Sequence, residues 1–195
     1  MPLIPLNTGN FADAHWKPLT NSAFARPLNI IELLASEMPA AACTLPIGLV
    51  RNGEQGPWTL QAVLGVAQRG NLFVAADGSW LGGYWPLRLR LAPFALAQSE
   101  TGEYVLCIND DWWQAPETGG YPFYSQGETL GEETAVVRKE CETLATNHVR
   151  TQAACAALDA VIKRTPTLVN ITPVVLWTPV HGTPEGHCHR QTLVA

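Results

Sequence analysis

The spacing of hydrophobic and polar positions changes along the chain, and each change predicts a different backbone. Residues 1–27 mix Pro, Asn, Ala and aromatic residues without a sustained period, as an extended arm across a core would. After Pro27, Asn29 can cap residues 30–37, whose apolar members gather on one helical side, and Pro39 follows as a stop; this predicts a short helix. From residue 45 to 108 the grammar is that of strands, expected at 47–50, 59–66, 72–75, 87–92 and 104–108, with turn signals at Asn52-Gly53, Asp77-Gly78 and Thr101-Gly102. The short connections demand antiparallel neighbours. Residues 109–127 are rich in aromatics and are expected to form an ordered loop, because so many rings are rarely left in water. Residues 128–163 carry the best long helical signal, with Val136, Val137, Cys141, Leu144 and Leu158 expected inward. The predicted fold class is α+β: a curved antiparallel sheet over about 45–108, flanked by a short N-terminal helix and one long C-terminal helix. Residues 1–164 are read as one domain. From Thr165 onward the prolines interrupt every period and the only charges are Glu185 and Arg190, so 165–195 is expected to be a divergent, poorly ordered tail.

Composition narrows the function classes. Charged residues make up 15% of the chain, below the usual share of about 25%, while 47% hydrophobic is ordinary for a globular protein. A net charge of -5 lacks the basic excess that draws nucleic acid. The opening Met1-Pro2-Leu3-Ile4-Pro5-Leu6 has neither a basic region nor a long apolar stretch, so no secretory signal is read, and no run of about 18 apolar residues predicts a membrane span. The expected compartment is the cytoplasm. The 5 cysteines are widely spaced with no C-x-x-C pair; Cys43, Cys107 and Cys155 sit among apolar neighbours and are expected to be buried, reduced thiols.

Several blocks then occur in a recognisable order. They are Trp16-Lys17-Pro18-Leu19, Asn21-Ser22-Ala23-Phe24-Ala25, Ala35-Ser36-Glu37-Met38-Pro39 and Leu45-Pro46-Ile47. The strongest follows: Asn71-Leu72-Phe73-Val74, then Asp77-Gly78-Ser79-Trp80-Leu81-Gly82-Gly83-Tyr84-Trp85-Pro86, then Arg88 to Pro93-Phe94. Leu106-Cys107-Ile108-Asn109 and the helical run from Thr151 to Leu158 complete the series. Over about residues 16–158 the chain resembles the SapC family of bacterial proteins. The resemblance implies a role related to the cell envelope or surface layer, with a protein or peptide partner related to the cell envelope or to TonB-dependent receptors. It also implies the cell surface as an alternative location, reached without an N-terminal signal. The family's mixed charged and Leu-rich ending has no counterpart after Lys163.

Candidate chemistry is sparse. Trp80, Tyr84, Trp85, Trp112, Trp113, Tyr121 and Tyr124 could line a peptide or small-molecule site, since Trp and Tyr join apolar area to a polar edge, although core packing is the commoner use of such rings. Asp110-Asp111 could act as acid and base or hold a cation, but paired acids after a strand more often cap a loop. His15 and His148 are the only histidines in the family-like part, and no nucleophile elbow accompanies them. His181, His187, Cys188 and His189, with Glu185, form a weak metal candidate without a recognised ligand spacing, so neither a metal nor a cofactor is expected. The primary functional expectation is non-catalytic binding of a protein or peptide. The alternative is an enzyme that modifies a peptide or small molecule in a pocket near the aromatic loop 110–124, which a cleft joining Asp110, Asp111 or His148 to convergent polar groups would favour.

Overall fold

A computed structural model describes residues 3–51, 56–66, 69–99, 102–110, 113, 115–116 and 119–164, the last four as helix backbone. Helices and antiparallel sheets mix in it as an α+β protein, and the chain divides into two compact units. The first comprises Met1–Thr20 and Leu89–Ala145, the second Asn21–Arg88 and the chain from Thr146.

In the first unit, β1 (Leu3–Pro5), β6 (Phe94–Gln98) and β7 (Tyr104–Asn109) form an antiparallel sheet in the order β1-β7-β6. The N-terminal arm is therefore partly a strand, with Ile4 opposite Ile108. A single helical turn, α1 (Thr8–Phe11), is capped by the Asn7 side chain, which accepts from the Asn10 N–H. Beyond it β2 (His15–Trp16) pairs with β8 (Tyr121–Pro122), and β9 (Tyr124–Gln126) with β10 (Thr129–Leu130). Buried Phe11, Trp16, Phe94 and Phe123 meet mostly edge to face and make the core with Leu106 and Ile108.

The second unit is built on β3 (Ile30–Glu32), β4 (Ile47–Arg51) and β5 (Trp58–Val63), in the order β3-β5-β4. Along β5, Leu60 and Ala62 are buried while Thr59 and Gln61 are half-buried, the period of two that a pleated strand imposes. Ile31, Ala62 and Ile47 stand in register across the three strands and are all buried. Residues 52–55, including the Asn52-Gly53 turn, lie outside the described residues.

Some sequence expectations fail here for identifiable reasons. The predicted helix over 30–37 is a strand followed by a 3-10 turn (Ala35–Glu37) and a one-turn helix, α2 (Met38–Ala41). β-branched Ile30 and Ile31 complete their backbone bonding against β5, and the Asn29 carbonyl accepts from Leu64 and Gly65 instead of opening a helix. Pro39 is the second residue of α2, in the first turn where a missing N–H costs nothing, so it does not stop a helix. The alternating 87–92 segment is the helical turn α3 (Leu87–Arg90), bracketed by Pro86 and Pro93, and the strand starts only at Phe94. Residues 72–75 form no strand but an isolated Val74–Trp80 bridge. The single curved sheet is accordingly replaced by separate small sheets.

The long helix is present as α4 (Glu132–Arg164), giving its residues up to Ala145 to the first unit and the rest to the second. Its buried positions are Thr134, Cys141, Thr151 and Cys155, while Val136 and Leu158 are 56% and 48% exposed and face outward against expectation. The threonines take inward positions because each hydroxyl has work there: Thr134 accepts from Trp16 and donates to Pro122, and Thr151 accepts from the Ala35 N–H and donates to Asn147.

Cys43, Cys107, Cys141 and Cys155 are free thiols. Cys107 and Cys155 are buried as expected, but Cys43 is exposed, its thiol resting on the Pro39 carbonyl. Burial raises the Cys107 and Cys155 thiols and pushes Cys141 up to about 12, with Glu140 and Glu142 adding to the rise. A thiol reagent applied to the native protein at about pH 8 should therefore modify Cys43 ahead of Cys107, Cys141 and Cys155. Peptide mapping that found Cys141 labelled as fast as Cys43 would contradict this placement.

Candidate functional site

The aromatic candidates fall into two groups, one in each unit. In the second unit, the Trp80 indole donates to the Tyr84 carbonyl at 2.9 Å and lies 5.8 Å from the Phe73 ring and 6.5 Å from the Trp85 ring. Tyr84 hydroxyl donates to Glu37 Oε1 at 2.8 Å, and its N–H donates to Thr44 Oγ1. The segment is anchored from outside as well. Arg26 donates to the carbonyls of Ala75 and Ala76, and the Ser22 hydroxyl donates to Gly78, whose φ of +88° suits glycine. The Asp77 carboxyl is held below its usual range by the Ser79 N–H and hydroxyl. These bonds make Trp80 and Tyr84 parts of a braced turn, which leaves the large hydrophobic side chain of Leu81 63% exposed.

In the first unit, Trp113 packs edge to face on Phe11 at 5.6 Å and near Phe123 at 5.9 Å, inside the aromatic core. Tyr121 and Tyr124 instead line grooves. A groove of about 540 Å³ is bounded by Lys17, Pro18, Thr20, Gly120 and Tyr121. Trp16 does not line the groove but supports its wall from behind: the indole donates to Thr134 at 2.9 Å, the ring meets Phe94 at 4.8 Å, and Trp16 stands opposite Tyr121 in the β2–β8 register. The adjoining Lys17 is thereby placed at the rim, exposed and without an ion pair among the described residues. Gly120, at φ +101°, comes so close to the Trp16 carbonyl that a Cβ there would lie 2.8 Å from its oxygen. A second groove, of about 300 Å³, carries Tyr124 with Thr8, Asp13, Gln126 and Glu128. Burial raises the Tyr124 phenol, and the Glu128 carboxylate adds to it.

Asp110 is exposed on the turn after β7, and Asp111 and Trp112 lie outside the described residues. So do His181, His187, Cys188 and His189; among the described residues no three metal-binding side chains come together. His15 is exposed, its Nδ1 near the Asp13 carbonyl.

His148 has surroundings that the sequence could not reveal. Within the second unit its Nδ1 lies 3.1 Å from Glu32 Oε1, and Arg88 Nη2 donates to Glu32 Oε2 at 2.8 Å and stands 3.3 Å from the same imidazole nitrogen. Glu32, Arg88 and His148 come from β3, the α3 turn and α4. Their separations in sequence carry no motif, and Glu32 falls in the 30–37 segment whose periodicity predicts a helix.

No helix among the described residues is long and apolar enough to cross a membrane. No curated protein and no solved structure matches the chain. A protein-family model described as SapC matches residues 6–162, which takes in the Trp16 wall, the braced turn and most of α4, and the chain belongs to the SapC family.

Proposed function

We propose that this chain serves a cell-envelope or surface-layer-related role by binding a protein or peptide, and that the partner is received in the groove between Lys17 and Tyr121. The groove's geometry carries the reading. Its volume falls within the range of about 300–1,000 Å³ typical of ligand sites, and it offers a proline ring, a tyrosine ring and an exposed ammonium that has no ion pair among the described residues. That combination suits an extended peptide segment bearing an apolar residue beside a carboxylate. The walls need little ordering on binding, because Trp16 is already fixed by a hydrogen bond and ring contacts. The proposed compartment is the cytoplasm, with the cell surface as the alternative.

The test is capture of partners from the native bacterium by the full chain and by a Lys17→Glu, Tyr121→Ser variant. Recovery of the captured partner should fall at least about tenfold, the equivalent of roughly 1.4 kcal/mol, with cooperative unfolding retained. Fractionation of the same cells reads the compartment. Equal recovery by the variant and the parent chain would remove the groove as the docking site.

A further inference from the structure

The two grooves of the first unit are joined by one short ribbon. In it His15 pairs with Pro122 and Trp16 with Tyr121, and the Phe123 N–H donates to the Ala14 carbonyl at 3.1 Å, which carries the antiparallel bonding one residue further. Asp13 and Tyr124 line the groove at one end of the ribbon, and Lys17 and Gly120 the groove at the other. The two ends carry opposite charge. At the first, the Asp13 and Glu128 carboxylates are exposed and without an ion pair among the described residues, beside the half-buried Tyr124 ring. Arg138, whose charge also reaches the Tyr124 phenol, is held by Glu142 at 3.0 Å. Such an end suits a guanidinium or ammonium, which pairs with carboxylates and lies favourably on a tyrosine face. At the other end stands the Lys17 ammonium. Trp16 is buried while His15 and Lys17 on either side of it are exposed, the alternation of a strand with one open face.

Asp13 and Lys17 are four residues apart, at most about 14 Å of extended chain. An extended peptide covers that distance in four residues. Because its side chains alternate between faces, residues i and i+4 turn to the same side, whereas i and i+3 do not. We propose that the two grooves are the ends of one peptide site, which selects an extended segment carrying a basic side chain and a carboxylate four residues apart. The carboxylate meets Lys17, and the basic group meets Asp13 and Glu128 beside Tyr124. This rests on the groove of Lys17 and Tyr121 being the docking site, and it adds the charge pattern of the partner.

The probes are the blocked peptides acetyl-Arg-Ala-Ala-Leu-Glu-amide and acetyl-Glu-Leu-Ala-Ala-Arg-amide, one for each strand direction, titrated into the full chain by calorimetry at low salt, where exposed charges are least screened. With the tighter of the two, the Asp13→Asn, Glu128→Gln double variant should weaken binding about fivefold, the scale of exposed ion pairs. Replacing the peptide's Arg by citrulline, which keeps the shape and removes the charge, should cost the same and needs no altered protein. Moving the Arg one residue closer to the Glu should also weaken binding. Glu103→Gln removes an exposed charge outside both grooves and should leave the affinity unchanged. Binding that falls with Lys17→Glu but is indifferent to citrulline and to the Asp13, Glu128 variant would overturn the charge pattern and leave the Lys17 groove standing. Indifference to Lys17→Glu would remove that groove and this proposal with it. An equal loss with Glu103→Gln, or failure of both peptides to bind at millimolar concentration, would also overturn the proposal.

Discussion

Replacing Trp16 by alanine should lower the unfolding free energy of the chain by about 4 kcal/mol, within the range of roughly 3–5 kcal/mol seen for buried tryptophan truncations. The side chain is 5% exposed, meets Phe94 edge to face at 4.8 Å, lies 5.4 Å from Tyr121 and donates its indole N–H to Thr134. Truncation removes the ring contacts and leaves the Thr134 hydroxyl without its donor. Trp16→Phe keeps most of the apolar area and loses the donor, so its cost should be nearer 1–2 kcal/mol. Thermal unfolding of the two variants checks the order, with Trp16→Ala shifted down on the order of 10 °C for a chain of this size. If both variants melt with the parent, Trp16 does not support the wall of the groove.

That placement explains why the site was only partly legible in the sequence. Aromatic residues of 112–124 look alike as letters, yet Trp113 packs against Phe11 while Tyr121 and Tyr124 line grooves. The difference is decided by which strand each residue joins. Trp16 opposite Tyr121 is a pairing across more than a hundred residues, and no local period encodes it. The same holds for His148. Its position on a long helix was readable from periodicity, whereas the carboxylate and guanidinium beside it arrive from β3 and the α3 turn. Lys17 and Pro18 lay inside a familiar block of sequence but carried no signal for a concave surface.

The fold was more legible where one interaction dominated. Strands β4, β5 and β7 were readable from β-branched and alternating residues bounded by turns, and α4 from its length. Failures came where tertiary partners overrode local preference. Leu87 to Leu91 alternates like a strand but is cut to a single turn between two prolines, and Ile30-Ile31 sits in a helix-like run yet completes a sheet edge. On α4, counting only apolar residues put Val136 and Leu158 inward, because a threonine with a satisfied hydroxyl is as good a core residue as a valine and gives no hydropathy signal.

Glu37 shows the same principle with a charge, and its removal should be the second large effect. It is 5% exposed, and its carboxylate accepts from three donors: Oε2 from the Leu34 N–H, and Oε1 from the Tyr84 hydroxyl and the Leu87 N–H, each at 2.8 Å. One carboxylate thus ties the turn before α2 to the turn carrying Trp80 and Tyr84 and to the start of α3. Glu37→Ala leaves these donors without an acceptor, at about 1–3 kcal/mol for each that water does not reach, partly offset because a charge no longer has to be desolvated. The expected net cost is about 3 kcal/mol. Glu37→Gln keeps one oxygen but turns an amide N–H toward a backbone donor, and should cost about 1–2 kcal/mol; Tyr84→Phe removes a single donor and should cost about 1 kcal/mol. Urea unfolding of the single variants and of the Glu37→Ala, Tyr84→Phe pair measures the coupling directly. The double variant should be less destabilised than the sum of its parts, because Tyr84→Phe removes one of the donors that Glu37→Ala strands. Strict additivity, or a Glu37→Ala cost no larger than that of Tyr84→Phe, would mean that the carboxylate does not hold these turns together.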